Sequence, residues 1–345
     1  MLTTWIRHNL NSWLKSMPER EIRFAKQGEE DVIIDFLREH WHAEFSVVKS
    51  RTLFDFLYSG KSGPNFVLAY DGQTLVGILG LSFYDEMRTD VFLTLWRSID
   101  TRVTTGIDML KFVLEQNYDS ISSVGTREEV LIIYKLLKFN TGSMDQWVKF
   151  NGDLGSYQIL KHGDLPPKRP LHDRGAETIH EVSGFDPRLQ YFSEPPAGSP
   201  FKSHAYLTKR YLQHPNYSYR VFEYSKDGEV LNYFVTRTVE YNGATALRLV
   251  DCVANDIGFV PFSAYVDSLF ASEGHEYIDM YCLNLKSDTL TQAGFYDCAI
   301  VEDLVVPNFF EPFVQEAEVK HFITTLDAPC LYKGDGDADR PFRLV

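Results

Sequence analysis

From residue 21 onward, short runs with a two-residue apolar period alternate with longer runs of helical period. Glu21–Ala25 reads as a strand, Glu29–His40 as a helix and Arg51–Tyr58 as a second helical stretch. A hairpin follows, Asn65–Tyr70 and Leu75–Phe83, around Asp71-Gly72, a dipeptide suited to the left-handed positions of a tight turn. Strand Val91–Ile99, helix Gly106–Glu115, strand Ser120–Val124, helix Glu128–Leu137 and strand Gln146–Phe150 complete the first half. The second half gives nearly the same series. Strand Thr178–Val182 leads through helical stretches near Arg188–Phe192 and Ala205–Gln213 into a hairpin, Tyr219–Tyr224 and Glu229–Glu240, around Asp227-Gly228. Strand Ala244–Val253, helix Phe259–Ala271, strand Tyr277–Leu283, a helical turn and strand Ala299–Val306 then follow. Asp71-Gly72 precedes Lys138-Phe139 by 67 residues, and Asp227-Gly228 precedes Gly294-Phe295 by the same interval. Equal order and equal spacing predict two copies of one fold.

Seven prolines between residues 166 and 200 each remove a backbone donor and fix φ, so regular structure is not expected to run through that stretch. The resulting organisation is a domain over 21–160, a Pro-rich linker over 161–172, a domain over 173–330 and an acidic tail over 331–345. Ahead of these, Ile6, Leu10, Trp13, Leu14 and Met17 share one face of an amphipathic helix over 1–20. Its partner is its own domain, a sister subunit in a homodimer, or a membrane surface.

A composition of 44% hydrophobic and 24% charged residues over 345 positions supplies a core for two domains and excludes global disorder. Forty-eight acids against 34 bases give a net charge of −14, which argues against broad nucleic-acid binding and favours small-molecule ligands. Cys252, Cys282, Cys298 and Cys330 have neither C-x-x-C nor zinc-ligand spacing and read as reduced thiols, and no metal site is expected. No segment approaches the ~18 apolar residues of a membrane span, so the expected location is cytoplasmic.

Three stretches carry chemistry. Glu129–Phe139, EVLIIYKLLKF, places Tyr134 five residues before Phe139 on an otherwise apolar helix. The junction SIDTRVTTGIDML brings Thr101, Arg102, Thr104 and Gly106 to the start of a helix, where free amides and the helix dipole favour an anion. Third, His40-Trp41-His42-Ala43-Glu44 precedes Leu53–Phe56, which includes Asp55. Asp251 and Asp279 are carboxylates inside apolar strands, costly to bury unless paired or facing a wet cleft. Lys333–Pro341, KGDGDADRP, with Asp337 and Arg340, reads as a solvated tail, a tail folded over the cleft, or the start of a calcium loop that lacks its downstream Glu.

This element order and these residues resemble the GNAT acyltransferase superfamily. The resemblance implies an α/β fold of the α+β type: two tandem GNAT-like domains, each a twisted mixed, mostly antiparallel sheet flanked by helices. It further implies acetyl-CoA or another acyl-CoA as co-substrate, with Tyr134 as the acid that protonates the departing thiolate; the alternative is that Tyr134 belongs to a buried apolar face. Ile99, Thr101, Arg102, Thr104 and Gly106 would hold the cofactor, although two of the family's usual positions are threonines here. His40 and Glu44 would be bases toward the acceptor, while Trp41, Asp55, Asp251, Asp279, Asp337 and Arg340 would line its site. HWHAEF, LFDF and KGDGDADRP are similar to tandem-GNAT proteins of bacterial surface-polysaccharide and nonulosonic-sugar gene clusters, which points to a sugar or sugar-nucleotide acceptor. The second copy, with no Tyr before Gly294-Phe295, is expected to shape the acceptor cleft. A Fem-like aminoacyl-tRNA transferase and a non-catalytic sugar- or partner-binding module are the alternatives.

Overall fold

The computed structural model describes residues 20–341 apart from 86, 88, 100–103, 168–176, 195–198 and 255–256. The amphipathic segment over 1–19, Thr101 and Arg102 lie outside the described residues.

Strands β1 (Arg20–Phe24), β2 (Phe66–Asp71), β3 (Thr74–Phe83), β4 (Asp90–Ser98), β5 (Ser120–Thr126), β6 (Asn140–Ser143) and β7 (Asp145–Phe150) lie in the first half. The second half holds β8 (Glu177–Val182), β9 (Tyr219–Lys226), β10 (Glu229–Tyr241), β11 (Ala244–Cys252), β12 (Tyr277–Leu283), β13 (Tyr296–Asp297), β14 (His321–Thr324) and β15 (Leu331–Tyr332). Helices are α1 (Glu30–His40), α2 (Ser46–Lys49), α3 (Arg51–Tyr58), α4 (Thr105–Leu114), α5 (Leu131–Leu136), α6 (His204–Leu207), α7 (Phe259–Glu273) and α8 (Ser287–Gln292). One sheet runs β1-β2-β3-β4-β5-β14-β6; the other runs β8-β9-β10-β11-β12-β7-β13, with β15 on β12. Both are mostly antiparallel, and each contains one parallel pair, β4 with β5 and β11 with β12. The chain is therefore a mixed α/β protein of two sheet-rich domains.

Positions 156 residues apart do the same job in the two sheets. Glu21 faces Tyr70 in the first and Glu177 faces Lys226 in the second. A bulge interrupts β4 between Leu93 and Trp96 and interrupts β11 between Leu249 and Asp251. The two helix stops also correspond: Phe139 N donates to Tyr134 O and Phe295 N to Leu290 O, both at 3.0 Å, through residues at φ 66° (Lys138) and 81° (Gly294). Glycine adopts that left-handed conformation freely, whereas a residue with a Cβ is held there at a cost of about 1 kcal/mol.

Two features differ from the sequence reading. Strand β7, expected to end the first sheet, lies between β12 and β13 of the second, and β14 from near the C-terminus lies between β5 and β6 of the first. Trp147, Val148 and Phe150 bury their side chains among residues of the second half, so apolar packing fixes which sheet receives β7. Ala299–Val306 is not a strand. Asp303 turns left-handed at φ 56°, and the stretch keeps only an isolated bridge between Val305 and Lys161. Among the described residues no helix is long and apolar enough to cross a membrane.

Candidate active site

In the first repeat, β4 and β5 are paired only at Asp90/Ser120, Val91/Ile121 and Phe92/Ser122. Past that point the strands separate, with Ser123 Oγ donating to Leu93 O at 2.8 Å across the start of the gap. Among the described residues no other strand enters it. The bulge sends Leu93 and Trp96 to the side of α4 and α5, and Leu95 to the side of α1 and α3. Helix α4 begins beyond the open end, so its first-turn amides and dipole point toward the junction loop. Thr104 stands at its N-cap with a side chain that makes no cap hydrogen bond. Gly106 is needed for packing, since a Cβ there would lie 2.7 Å from the Trp96 indole. Ile99 is committed to the sheet, its N donating to Val76 O at 3.0 Å.

Tyr134 is 3% exposed, with its ring edge-on to Trp96 at 5.6 Å and to Phe139 at 5.3 Å. Its hydroxyl makes no hydrogen bond among the described residues. Burial pushes the phenol above its ordinary pKa, so it keeps its proton at neutral pH. The apolar surroundings expected from the sequence and an uncommitted proton donor thus coexist in one side chain.

The second repeat closes the corresponding gap with its own chain. Leu247/Ile278, Arg248/Asp279 and Leu249/Met280 pair in parallel. Beyond them β15 pairs with Cys282 and Leu283, Lys333 N donates to Tyr281 O at 3.2 Å, and Gly334 N donates to Val250 O at 2.7 Å. A Cβ on Gly334 would lie 2.5 Å from Tyr211 Oη and 2.7 Å from Val250 O, so glycine is required there. Leu290 holds the position equivalent to Tyr134. Asp279 is fully buried and bidentate to Arg248 at 2.9 and 3.0 Å. Asp251, also fully buried, accepts from Lys202 Nζ at 2.6 Å and Tyr211 Oη at 2.7 Å.

The tail continues between the two halves, and each of its alternating aspartates has partners. Asp335 meets Lys202 at 2.8 Å and accepts from Tyr84 Oη at 2.8 Å. Asp337 accepts from Tyr58 Oη at 2.5 Å and pairs with Arg340, whose guanidinium lies 5.1 Å from the Phe45 ring centre. Asp339 meets Arg237 at 3.0 Å and accepts from Tyr219 Oη at 2.9 Å. Burial opposes the Lys202 ammonium, but Asp251 and Asp335 outweigh it, so its pKa stands well above that of free lysine. Burial likewise opposes the Asp339 carboxylate, and Arg237 outweighs it and holds the group below the usual range. Of the sequence readings, the fold-back is the conformation adopted. Among the described residues no group of three or more His, Cys, Asp or Glu side chains is placed to hold a metal ion.

A cavity of about 470 Å³ lies where the halves meet. It is bounded by the end of α3 (Phe56, Leu57), the end of β3 (Ser82, Phe83) with Tyr84, the tail at Gly336, and Tyr206, Lys209 and Arg210. His40, Trp41, Glu44 and Asp55 do not line it. His40 packs edge-on to Phe36 at 4.8 Å, Trp41 stacks on Phe45 at 5.7 Å, Glu44 pairs with Lys49 at 2.7 Å, and Asp55 pairs with Arg51 at 2.8 Å. Tyr206, Lys209 and Arg210 escaped sequence reasoning, because Ala205–Gln213 reads as a plain helix. In the structure α6 gives way to a π-turn over Thr208–Leu212, a local widening frequent at functional sites.

No protein-family model matches this sequence, and no curated protein matches it. Among solved structures it is similar to a conserved protein from Enterococcus faecalis V583, described as a probable N-acyltransferase, at a TM-score of 0.55 and 12% identity over 89% of this chain and 73% of that one. It is also similar to a GCN5-related N-acetyltransferase from Anabaena variabilis ATCC 29413, at a TM-score of 0.52 and 11% identity over the same shares. At such identities the likeness concerns architecture, and both sheets described above share it: the fold is GNAT-like in each of its two domains.

Proposed function

We propose that the protein is an acyltransferase that moves an acetyl or related acyl group from acyl-CoA to an amino or hydroxyl group of a small acceptor, a sugar or sugar nucleotide being the leading class. The reading rests chiefly on the open parallel pair of the first repeat, flanked by the N-terminus of α4 and by Tyr134. Acyl-CoA supplies the activated acyl group and a thiolate leaving group. The α4 first-turn amides, with the Thr104 hydroxyl, suit its diphosphate. Backbone N–H groups around the β4 bulge orient and polarise the thioester carbonyl. Tyr134 Oη gives its proton to the departing sulfur. The acceptor is assigned to the cavity between the halves; its nucleophile attacks the acyl carbon directly, and the proton it sheds leaves through water, balancing the one that Tyr134 gives to the sulfur and later regains. A cytoplasmic enzyme of surface-polysaccharide synthesis is consistent with this chemistry.

Thiol release from acetyl-CoA in the presence of amino-sugar acceptors tests the reading. Tyr134→Phe is expected to lower kcat about 10- to 100-fold with little change in coenzyme A affinity. A loss of binding larger than the loss of rate would contradict the role given to Tyr134.

A further inference from the structure

Four buried cations in this protein have anionic partners within reach. Lys149 meets Asp267 at 3.0 Å, Lys202 meets Asp251 at 2.6 Å, Arg237 meets Asp339 at 3.0 Å and Arg248 meets Asp279 at 2.9 Å. Arg210 differs. It is 4% exposed, and among the described residues its Nη2 donates only to the backbone carbonyl of Asp339 at 3.3 Å while its Nε and Nη1 have no hydrogen-bond partner. The Asp339 carboxylate is already engaged by Arg237 and Tyr219. A guanidinium with donors left open in a buried site is strongly disfavoured unless something anionic completes it, and a carboxylate or phosphate matches its forked geometry.

Arg210 is part of the wall of the cavity between the halves, and Tyr206 in the same wall has a buried hydroxyl that also lacks a partner among the described residues. Lys61 and Lys209 line it too, and among the described lining residues Asp85 is the one acid, a local reversal of sign in a chain of net charge −14. Lys209 Nζ lies 5.3 Å from the centre of the Phe56 ring, so an aromatic surface lies beside the basic groups.

We propose that this cavity binds a small molecule bearing a carboxylate or phosphate, which draws the buried Arg210 guanidinium and Tyr206 hydroxyl round to it by a local side-chain shift, with its uncharged body against Phe56. Resting on the acyltransferase reading, this makes the acceptor an acid: an acidic sugar or a sugar phosphate. Lys61 and Lys209 draw the anion toward the cavity from solution.

The test measures binding by calorimetry without any acyl donor. The probes are two matched pairs, glucosamine 6-phosphate against glucosamine and glucuronate against glucose. At least one anionic probe is expected to bind ten or more times as tightly as its neutral partner. The phosphate and carboxylate arms tell the two sources of negative charge apart. Arg210→Met is expected to abolish that preference while leaving the melting temperature of the unliganded protein unchanged or higher, because it removes an uncompensated buried charge. Tyr206→Phe is expected to reduce the preference severalfold. Equal affinities within both pairs, or no binding of either anionic probe at about 10 mM, weaker than any useful acceptor affinity, would overturn the proposal. So would an Arg210→Met protein that melts several degrees lower and keeps the preference. Selective anion binding without acyl transfer would sustain this site and count against the acyltransferase reading; efficient acylation of neutral sugars alone would do the reverse.

Discussion

The two repeats share strand order, bulge position and helix stop, yet the space between their fourth and fifth strands is used in opposite ways. In the first it remains open beside an N-terminal helix end and a buried phenol. In the second, Lys333 and Gly334 bridge Tyr281 and Val250 across it, and the flanking strands carry Arg248 and Asp251 where the first has apolar residues and Asp279 where it has a serine. The comparison teaches that one architecture used twice can leave this space open in one copy and fill it with the chain's own tail in the other. The acidic tail holds the two together, because its aspartates take partners from both halves.

Separating these roles should begin with the buried charges. Asp279→Asn leaves Arg248 uncompensated at full burial and is expected to cost about 3–5 kcal/mol, whereas the double change Arg248→Met with Asp279→Leu costs far less. Denaturant unfolding of the three proteins checks the order; a double variant as unstable as the single would assign the pair a positive contribution of its own. Next comes the filled gap. Gly334→Val drives a side chain into Tyr211 and Val250 and is expected to lower stability by about 2–4 kcal/mol, while Gly155→Ala, with open space around its Cβ, changes little. Thermal melts compare the two, and an unaffected Gly334→Val protein would mean that the tail does not seal the second repeat.

Smallest near neutral pH is an effect that grows on acidification. His214 is nearly buried, and its Nδ1 accepts from Asn216 N and Tyr217 N; desolvation first, and Arg210 second, push its pKa down to about 3. The unfolded chain protonates this imidazole near pH 6.5 and the folded chain does not, so stability falls as pH drops from about 6.5 toward 3. The limiting slope is about 1.4 kcal/mol per pH unit. His214→Asn keeps an acceptor for the two amides and removes the titration, so its melting temperature should depend less on pH between 6.5 and 4. An unchanged dependence would assign the acid sensitivity to other groups.

Much of this architecture is legible in the sequence because it is local. The dipeptide Asp227-Gly228 takes both left-handed turn positions, at φ 52° and 84°, and in the first hairpin Gly72 does so at φ 62°. Helix Arg51–Tyr58 and strand Tyr277–Leu283 keep the boundaries that their apolar periods predict. What the sequence hides is non-local. Alternation marks β7 as a strand without saying which sheet receives it, and nothing within KGDGDADRP shows that Lys202, Tyr58 and Arg237, distant in the chain, will meet its carboxylates. Arg210 is unreadable for the same reason: its importance lies in the partners it lacks, which only the assembled interior reveals. The open gap of the first repeat could be expected from the order of its elements, whereas the filled gap of the second could not.

Calorimetric titration with acetyl-CoA, run beside a Thr104→Asp variant, tests the central claim that a donor enters the first repeat alone. Asp at the N-cap suits the helix dipole, so α4 should be as stable as before or firmer by about 0.3–1 kcal/mol, yet its charge repels a diphosphate. The account predicts one bound acetyl-CoA per chain and an affinity about tenfold weaker in the variant, with no loss of melting temperature. Two per chain, or one per chain with an affinity indifferent to Thr104→Asp, would contradict it.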